Sequence, residues 1–427
     1  MECGGPPANL LSERIGIRSV WIEEGCASRS DRHESGVGRP GRCRPIATSR
    51  CVLYRTLGLD QTPGFNVHGG PGRNAEQLTG TLNGRQIVLR AATIGYDVHL
   101  MKCGALFAGI GGFCLGFAKA GLPTAWAVEL DEHAASTYRH NFPEVRLLQK
   151  SAADVDVSAD ALEPIDVLHA GFPCQSFSQA GSRSGFNDPR GRLFFQIIRL
   201  IEEFKDQRPA VLVLENAPFL RYGEGGAWFL ELQRAIRKAG YWFRPDNSRE
   251  LSAFDLTPLP QQRIRLFMVA FSMRRFRSGR FSFPTEKDKT AKDLSAYIDF
   301  DGHVDDEYFL PRENRYFDMI SGAVSDSRRV YQLRKYQVRA KDPGVCPTLT
   351  ANMGQGGHNV PFIMNSRGLR KLTEHECLRL QGFPAEFAFP DGVPRAKRYT
   401  QVGNAVAVPV AELLAGRVRS KIEQELQ

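Results

Sequence analysis

The 427-residue sequence has no apolar run close to the roughly 20 residues that a membrane-spanning helix needs. Its nine cysteines are odd in number and include no C-x-x-C pair, so neither a disulfide framework nor a zinc site is indicated. The remaining composition is typical of globular proteins, at a length that allows about two to three domains. We expect a protein of the reducing cytoplasm, without a membrane segment or a metal.

The first 100 residues have no lysine, although they hold twelve arginines and four cysteines. They show little hydrophobic periodicity, and only residues 86–92 predict a strand. A basic arm that binds nucleic acid would normally mix Lys with Arg. We expect residues 1–100 to be poorly structured and to stand outside the working enzyme, as upstream sequence translated before a natural start at Met101. A disordered but genuine extension is the alternative.

The formal net charge of +9 suits a polyanionic partner, although charge alone is weak evidence. Basic residues concentrate in 328–341, where tyrosines are interleaved with them, and a Thr-, Asn- and Gln-rich loop follows at 347–359. Basic side chains suit phosphates, and a polar loop suits base edges. A solvated surface with a polar loop is the plain structural alternative. The candidate DNA-binding residues are Arg334, Lys335, Thr348, Thr350, Asn352 and Gln355.

A glycine-rich turn follows the apolar strand predicted at 105–108. The turn, Gly109-Ile110-Gly111-Gly112, leads into a predicted helix that ends near Ala120. A second strand at 124–128 ends at Glu129, about 20 residues later, where an acidic residue commonly binds ribose hydroxyls. The turn is not the full G-x-G-x-x-G pattern, so it predicts a nucleoside cofactor without identifying it.

Three chemically capable residues follow apolar strands, namely Glu129, Cys174 and Glu215. Cys174 stands directly behind Pro173, after the strand predicted at 165–170. Since the carboxyl ends of parallel strands meet at one edge of a sheet, we expect these residues to gather there. A thiolate at that edge is a nucleophile candidate, although a lone buried cysteine is more often a core residue. The apolar surroundings of Glu215 predict a raised pKa.

The stretch 259–269 predicts a strand that carries Arg263 and Arg265 on one face, which suggests a bound anion or polar ligand. A solvated edge strand is the alternative. The change of composition after residue 271 suggests a domain boundary. Near the C-terminus, Thr373 and Glu376 predict the capping box of a helix that Gly382 and Pro384 end.

These stretches, in this order, resemble the motifs of the DNA cytosine-5 methyltransferases, over roughly residues 101–420. The matching motifs are Phe107 to Gly112, Gly171 to Ser178 with its Pro-Cys pair, Glu215-Asn216, Gln261-x-Arg263-x-Arg265, Arg370 to Pro384 and Gly403 to Val406. Ala217 stands where the family has Val, a mild departure. Residues 272–365 match only in position and in the Thr-Leu-Thr-Ala-Asn loop, and residues 1–100 match nothing.

The resemblance implies an α/β fold, with a Rossmann-like S-adenosylmethionine-dependent methyltransferase domain and a smaller target-recognition domain. The implied divisions are 101–271 for the catalytic domain, 272–397 for target recognition, and 398–427 for a segment that returns to the catalytic domain. The implied substrate is double-stranded DNA, and the implied enzyme is a bacterial modification methylase. We expect a monomer, with a separately acting restriction endonuclease as a candidate partner.

The resemblance also assigns roles to residues. Cys174 would add to C6 of cytosine, Glu215 would protonate N3, Arg265 would hold O2, and Arg263 would support the thiolate loop. Asp154 would hold the adenine amino group of the cofactor. The full set of implied S-adenosylmethionine-binding residues is Phe107, Ala108, Gly109, Ile110, Gly111, Gly112, Glu129, Asp154, Pro173, Leu193, Asn404 and Val406.

Three competing interpretations are open on the sequence. A tRNA cytosine-5 methyltransferase would share the fold, although the sizeable basic segment favours DNA. A catalytically dead regulatory relative is disfavoured because Cys174 and Glu215 are both present. A nicotinamide-dependent oxidoreductase would explain the glycine turn but gives no role to the Pro-Cys pair or to Arg263 and Arg265.

Overall fold

The computed structural model describes residues 101–173, 185–188, 191–334, 336–354 and 359–425, and the backbone of three strands nearer the N-terminus. Those strands are β1 (Glu23–Glu24), β2 (Glu76–Leu82) and β3 (Arg85–Ala91), which form an antiparallel sheet in the order β1-β3-β2. Strand β3 begins one residue before the predicted strand, and β2, which has few apolar residues, was not predicted. Met1–His99 and Leu100–Gln427 are two separate compact units.

A mixed eight-stranded sheet forms the centre of the second unit, because its short apolar runs can be buried on both faces. Its strands run in the order β10-β11-β8-β7-β4-β5-β6, and β9 pairs with β11. They are β4 (Cys103–Leu106), β5 (Thr124–Val128), β6 (Arg146–Leu148), β7 (Val167–Gly171), β8 (Val211–Asn216), β9 (Tyr241–Trp242), β10 (Ser248–Ser252) and β11 (Ile264–Ser272).

Strands β4 to β8 are parallel, and β11 joins antiparallel to β8. The direction of the strand order reverses at β4, which pairs with β5 on one side and with β7 on the other. In open α/β sheets the crevice beyond the carboxyl ends at such a reversal is where ligands bind. The predicted strands at 124–128 and 165–170 lie within two residues of β5 and β7, and β8 is the apolar strand expected before Glu215.

The predicted strand at 259–269 is wrong over its first five residues, since β11 begins only at Ile264. Pro260 has no backbone N–H to give to a ladder. Gln261 instead makes a parallel bridge with Cys346, and the N–H of Gln262 donates to the carbonyl of Cys346. This segment therefore connects the large sheet to the part of the chain that carries the Thr-Leu-Thr loop.

Helices cover both faces of the large sheet. The helices described in this unit are α1 (Gly112–Lys119), α2 (Glu132–Asn141), α3 (Leu193–Glu203), α4 (Ala227–Lys238), α5 (Ala253–Leu256), α6 (Phe317–Ala323), α7 (Glu374–Leu380), α8 (Arg395–Asn404) and α9 (Val408–Glu425). Helices α3 and α4 pack on one face through a core that includes Phe194, Ile197 and Trp228, and α1 and α9 pack on the other through Phe117 and Leu414.

A smaller antiparallel sheet lies within the segment 272–397. Its order is β13-β12-β14-β15, with β12 (Tyr331–Arg334), β13 (Gln337–Ala340), β14 (Pro361–Asn365) and β15 (Gly368–Lys371). Tyr331, Leu333, Phe362 and Ile320 of α6 form its own small core. The expected boundary between 397 and 398 falls inside helix α8.

Helix α7 begins as predicted. The Thr373 hydroxyl accepts from the N–H of Glu376, and the Glu376 carboxylate accepts from the N–H of Thr373, so the capping box is confirmed. Gly382 ends the helical segment with a φ of +82°, which favours glycine. No helix in the described part of the chain is long and apolar enough to cross a membrane. Within the same described residues, no group of three or more His, Cys, Asp or Glu side chains could hold a metal ion.

Candidate active site

A cavity of about 430 Å³ opens beyond the carboxyl ends of the parallel strands, at the reversal of strand order. Strands β4, β5, β7 and β8 each contribute lining residues, and two of the three predicted strand-end residues, Glu129 and Glu215, are among them. The start of α3 and the C-terminal end of α8 contribute further lining residues. The described lining residues include Phe107, Ala108, Gly109, Gly112, Glu129, Leu130, Ser151, His169, Gly171, Pro173, Leu193, Glu215, Arg263, Arg265, Gly403, Asn404 and Val406.

The turn after β4 leaves one end of this cavity open. Phe107 has a φ of 56°, uncommon for a residue with a side chain, and Gly109 has a φ of 57°. A Cβ placed on Gly109 would meet no atom within 4 Å. Strained backbone of this kind is concentrated at binding sites. The turn therefore gives a ligand room to approach the main chain.

Glu129 lines the same end of the cavity. Its carboxylate accepts hydrogen bonds from the N–H of Gly109 at 2.7 Å and from the N–H of Asp131 at 2.8 Å. Burial raises the pKa of Glu129, although these backbone donors partly oppose the rise. The carboxylate thus links the ends of β4 and β5 and keeps lone-pair capacity for a ligand's hydroxyl groups.

Glu215 and Arg265 form an ion pair elsewhere in the cavity. Arg265 Nε lies 3.2 Å from Glu215 Oε1, and Arg265 Nη1 donates to the carbonyl of Ile264 at 2.8 Å. Burial raises the pKa of the Glu215 carboxyl, and the charges of Arg265 and Arg263 oppose the rise. The direction of this shift agrees with the raised pKa that the apolar surroundings of Glu215 predict.

Arg263 is buried and its described hydrogen bonds go to main-chain carbonyls. Nη1 donates to Leu349 at 2.8 Å, and Nη2 donates to Gly403 at 2.9 Å and to Ala405 at 2.7 Å. These bonds connect the Thr-Leu-Thr loop to the end of helix α8. Arg263 therefore organises the cavity wall in addition to lining it.

Nine of the twelve predicted cofactor residues line the cavity, and three do not. Ile110 is buried in the core, and Gly111 packs against the Phe142 ring, where a Cβ would lie 2.3 Å from a ring carbon. Asp154 is exposed and lies outside the lining. Ser151 lines the cavity instead. The chain forms a short 3₁₀ helix, Ala152–Asp154, directly after Ser151, and this helix places Asp154 outside the cavity lining.

Cys174 lies outside the described residues, as do Lys335 and Gln355. Pro173, which precedes Cys174 in the chain, lines the cavity. Gly171 pairs with Glu215 in the ladder between β7 and β8. The described end of the Pro-Cys motif therefore leads to the cavity that holds Glu215 and Arg265.

Several lining residues were not predicted. Leu130 is 65% exposed at the cavity rim, and an apolar residue placed directly after a strand-end acid is a signal that could have revealed it. His169 is buried in β7 between the rings of Phe113 and Phe117, with centroid distances of 5.0 and 4.9 Å. Nothing in the spacing of the sequence marks His169, because strand residues alternate between two faces and the sheet order decides which face meets the cavity.

Of the four described DNA-binding candidates, Thr348 and Thr350 flank Leu349, whose carbonyl accepts from the cavity-lining Arg263. Thr348 donates to the carbonyl of Gln262, next to Arg263. Thr350 Oγ1 donates to Asn352 Oδ1 at 2.7 Å. Asn359, which was not predicted, donates to the same oxygen at 3.3 Å and accepts from Arg334 Nη1 at 2.6 Å. The structure thus joins Arg334, Thr350 and Asn352 through Asn359.

Comparison with known proteins agrees with this geometry. Residues 101–420 match the family model of the C-5 cytosine-specific DNA methylases. The chain is 36% identical over 323 residues to the Type II methyltransferase M.Bsp6I of Bacillus sp. (strain RFL6), covering 75% of this chain and 98% of that protein. It is 34% identical over 312 residues to the Type II methyltransferase M.HaeII of Haemophilus aegyptius, covering 73% and 90%.

Solved structures show the same fold. The Entamoeba histolytica methyltransferase EhMeth superposes with a TM-score of 0.57 at 18% identity, covering 77% of this chain and 99% of that one. A putative DNA modification methyltransferase encoded within an E. coli prophage superposes with a TM-score of 0.54 at 20% identity, covering 76% and 99%. The predicted α/β methyltransferase fold is confirmed. The chain belongs to the C-5 cytosine-specific DNA methylase family.

Proposed function

We propose that this DNA cytosine-5 methyltransferase acts on a flipped-out cytosine in one short DNA site, through a covalent bond between Cys174 and C6 of the base. The observation that carries the proposal is the single cavity that holds the Glu215–Arg265 pair together with the Gly109–Glu129 end. One end suits a base and the other suits a nucleoside cofactor. A methyl group could pass between them without leaving the cavity.

The cofactor end fits S-adenosylmethionine. Glu129 offers a carboxylate for ribose hydroxyls, and the bare main chain at Gly109 leaves room that a side chain would fill. The exposed side chain of Leu130 gives an apolar surface for an adenine ring. When bound, S-adenosylmethionine supplies the electrophilic methyl group. Ser151 takes the place beside the cavity that the resemblance gave to Asp154.

The base end fits cytosine. C5 is a weak carbon nucleophile until the Cys174 thiolate adds to C6, which makes C5 enamine-like. Electron density then rises at N3, and the Glu215 carboxyl, whose protonated form is favoured because burial raises its pKa, donates a proton there. Arg265 Nη2 makes no hydrogen bond to another described residue, so it is free to donate to the base O2.

The target cytosine must leave the double helix to reach this cavity, which costs a few kcal/mol of stacking and pairing. A base then removes the C5 proton, the electrons of that bond re-form the C5–C6 double bond, the Cys174 thiolate leaves, and N3 returns its proton to Glu215, which releases the methylated base. We further propose that the protein acts as a monomer in the cytoplasm. A restriction endonuclease for the same DNA site would act separately from it. The Type II names of the bacterial relatives support this biological setting.

Bisulfite sequencing of plasmid DNA from cells that express the full chain tests the activity, with Cys174→Ala as the control. We expect protected cytosines within one short motif for the wild type and none for the variant. Protection that persists in Cys174→Ala would contradict the covalent mechanism. Cytosine-5 methylation of tRNA without protected cytosines in the plasmid would favour the RNA methyltransferase alternative.

Covalent trapping tests the adduct directly. DNA that carries 5-fluorocytosine at the target has no C5 proton to lose, so the Cys174–C6 bond should persist after methyl transfer. With purified protein and S-adenosylmethionine, we expect a denaturation-resistant protein–DNA complex that Cys174→Ala does not form. Cys114→Ala provides a matched control, because burial raises the pKa of the Cys114 thiol to about 11 and makes it a poor nucleophile. A complex formed by Cys174→Ala would contradict the assignment.

A further inference from the structure

A line of four polar side chains runs from the end of strand β12 to the wall of the active-site cavity. Arg334 Nη1 donates to Asn359 Oδ1 at 2.6 Å, Asn359 Nδ2 donates to Asn352 Oδ1 at 3.3 Å, and Thr350 Oγ1 donates to the same oxygen at 2.7 Å. Arg334 and Asn352 are exposed, and the other two are half-buried. The line is therefore a pre-formed polar surface and not part of the core.

The inner end of this line is fixed to the active site. Arg263, which lines the cavity, donates to the carbonyl of Leu349 beside Thr350. Thr400 of helix α8, another lining residue, donates to the carbonyl of Ala351 at 3.0 Å. A DNA strand whose cytosine enters the cavity would have neighbouring bases within reach of this surface.

The guanidinium of Arg334 has a defined orientation. Its Nη1 donates to Asn359 Oδ1, while Nε and Nη2 of Arg334 have no hydrogen-bond partner among the described residues. Those two nitrogens form one edge of the planar fork, the arrangement that pairs with guanine O6 and N7 in the major groove. A free arginine would have to lose its rotamer freedom on binding, whereas Asn359 has already restricted that of Arg334.

Asn359 itself adopts an uncommon backbone conformation. Its φ is +63°, in the left-handed region that Asn tolerates better than most residues with side chains. This conformation directs the amide so that it accepts from Arg334 and donates to Asn352. The amide oxygen and the amide nitrogen of Asn359 are thus both hydrogen-bonded, as expected of a residue that positions Arg334.

Resting on the proposed methyl transfer to DNA, we propose that Arg334 is a specificity-determining residue that reads a guanine in the recognition site. Asn359 is its positioning residue, and the neighbouring bases contact the surface that Asn352 and Thr350 complete. A good bidentate arginine–guanine pair contributes about 1–3 kcal/mol of discrimination. That range corresponds to roughly 5- to 150-fold in relative rate at one base position.

The test measures the methylation rate of the full-length protein on a DNA library in which the bases around the target cytosine vary. Arg334→Lys keeps the charge but loses the fork, and Arg334→Ala removes both. Asn359→Gly permits the positive φ but removes the amide. Arg339→Ala is the matched control, because Arg339 is an exposed arginine of the adjacent strand β13 with no described partner.

We expect both Arg334 variants to lose preference for guanine at one position, by roughly 5- to 150-fold, while preferences at the other positions stay. Asn359→Gly should relax the same position by a smaller factor, a readout that a merely structural role would not give. Arg339→Ala should keep every base preference. Unchanged preferences in both Arg334 variants, or an equal loss at all positions, would overturn the proposal. A wild-type protein that methylates no DNA would instead overturn the activity, and this assignment with it.

Discussion

Glu215 shows how a single side chain obtains its chemistry from its surroundings. Its strand is apolar and buried, and Arg265 meets its carboxylate at the cavity. Burial raises the pKa of Glu215 above the ordinary value of 4.5, and the arginine limits that rise while keeping the carboxyl oriented. The result is an acid that stays protonated to higher pH than a surface glutamate.

Replacing Glu215 with Gln should reduce kcat by about 10²–10⁴-fold, because the amide can donate a hydrogen bond to N3 but cannot transfer a proton. The wild-type rate should fall as pH rises through the raised pKa, since the protonated acid is then lost. The variant should lack this alkaline decline. Single-turnover rates from pH 5 to pH 9 measure both effects, and an alkaline decline kept by the variant would assign it to another group.

His169 provides a pH effect on stability. Burial lowers its pKa from 6.5 to about 3, so it stays neutral in the folded protein while the unfolded chain takes up a proton below pH 6.5. Its contribution to stability is therefore complete above pH 6.5 and is lost progressively as pH falls toward 3. The buried neighbours that face it are Phe113, Phe117 and Cys114.

His169→Phe keeps a ring between the two phenylalanines and removes this titration. We expect Tm to fall less between pH 7 and pH 4.5 in the variant than in the wild type. The Tm of His303→Gln, a substitution at an exposed position, should fall as much as the Tm of the wild type. Thermal melts monitored by circular dichroism measure these changes in Tm. Equal decreases of Tm in His169→Phe and the wild type would show that His169 does not cause the pH dependence.

At the scale of elements, the start of α7 is held by a fully buried ion pair. Arg370 of β15 donates to both carboxylate oxygens of Glu376, at 2.7 and 2.9 Å, and Nη2 also donates to the carbonyl of Asp299 at 2.6 Å. Arg370 has no exposed surface. The pair therefore connects the small sheet, helix α7 and the segment before residue 300.

Arg370→Met should lower the free energy of unfolding by about 3–5 kcal/mol, because it leaves the Glu376 carboxylate buried without its partner. Arg367, in the turn of the same hairpin, pairs with Asp306 at the surface. Arg367→Met should therefore cost at most about 1 kcal/mol. Urea unfolding followed by tryptophan fluorescence compares them, and equal losses would show that the buried pair has no special role.

Gly403 marks a close approach between helix α8 and the Thr-Leu-Thr loop. A Cβ at Gly403 would lie 2.3 Å from the backbone nitrogen of Ala351 and from the backbone carbon of Thr350. Gly403→Ala should push the loop away and lower both stability and methylation. Gly416 in α9 has no atom within 4 Å of an added Cβ, so Gly416→Ala should stabilise by about 0.5–1 kcal/mol. The melting temperatures of the two variants should thus change in opposite directions, and only Gly403→Ala should lower the methylation rate.

The sequence predicted elements better than it predicted which side chains meet. Strand β5 lies where expected, and the strand-end acids Glu129 and Glu215 reach one cavity, because continuous apolar runs indicate parallel strands that are buried on both faces and whose carboxyl ends meet at one edge. Asp154 was misplaced because one short 3₁₀ turn changes which residue faces inward. Asn359 was missed because its role depends on a hydrogen bond to Arg334, 25 positions away.

At the scale of the molecule, the described cavity lining lies between residues 106 and 406, within the family match at 101–420. Residues 1–100 hold twelve arginines and nine acidic residues, so they contribute +3 of the formal charge of +9 and the remainder keeps +6. Most of the electrostatic attraction to DNA therefore belongs to the unit that holds the site. We propose that residues 1–100 are dispensable for methyl transfer.

A chain that begins at Met101 should methylate the same DNA motif as the full chain, because the residue that we propose to read the motif, Arg334, is kept. Its DNA affinity should decrease modestly at low salt and converge with that of the full chain as salt rises, since the lost charge acts through screened interactions. Bisulfite sequencing gives the motif, and binding isotherms from 50 to 300 mM salt give the affinity. The Cys174→Ala form of the shorter chain controls for background protection. If the shorter chain melts cooperatively yet protects no cytosine, the strands β1 to β3 belong to a unit that the methylase requires, and the proposal fails.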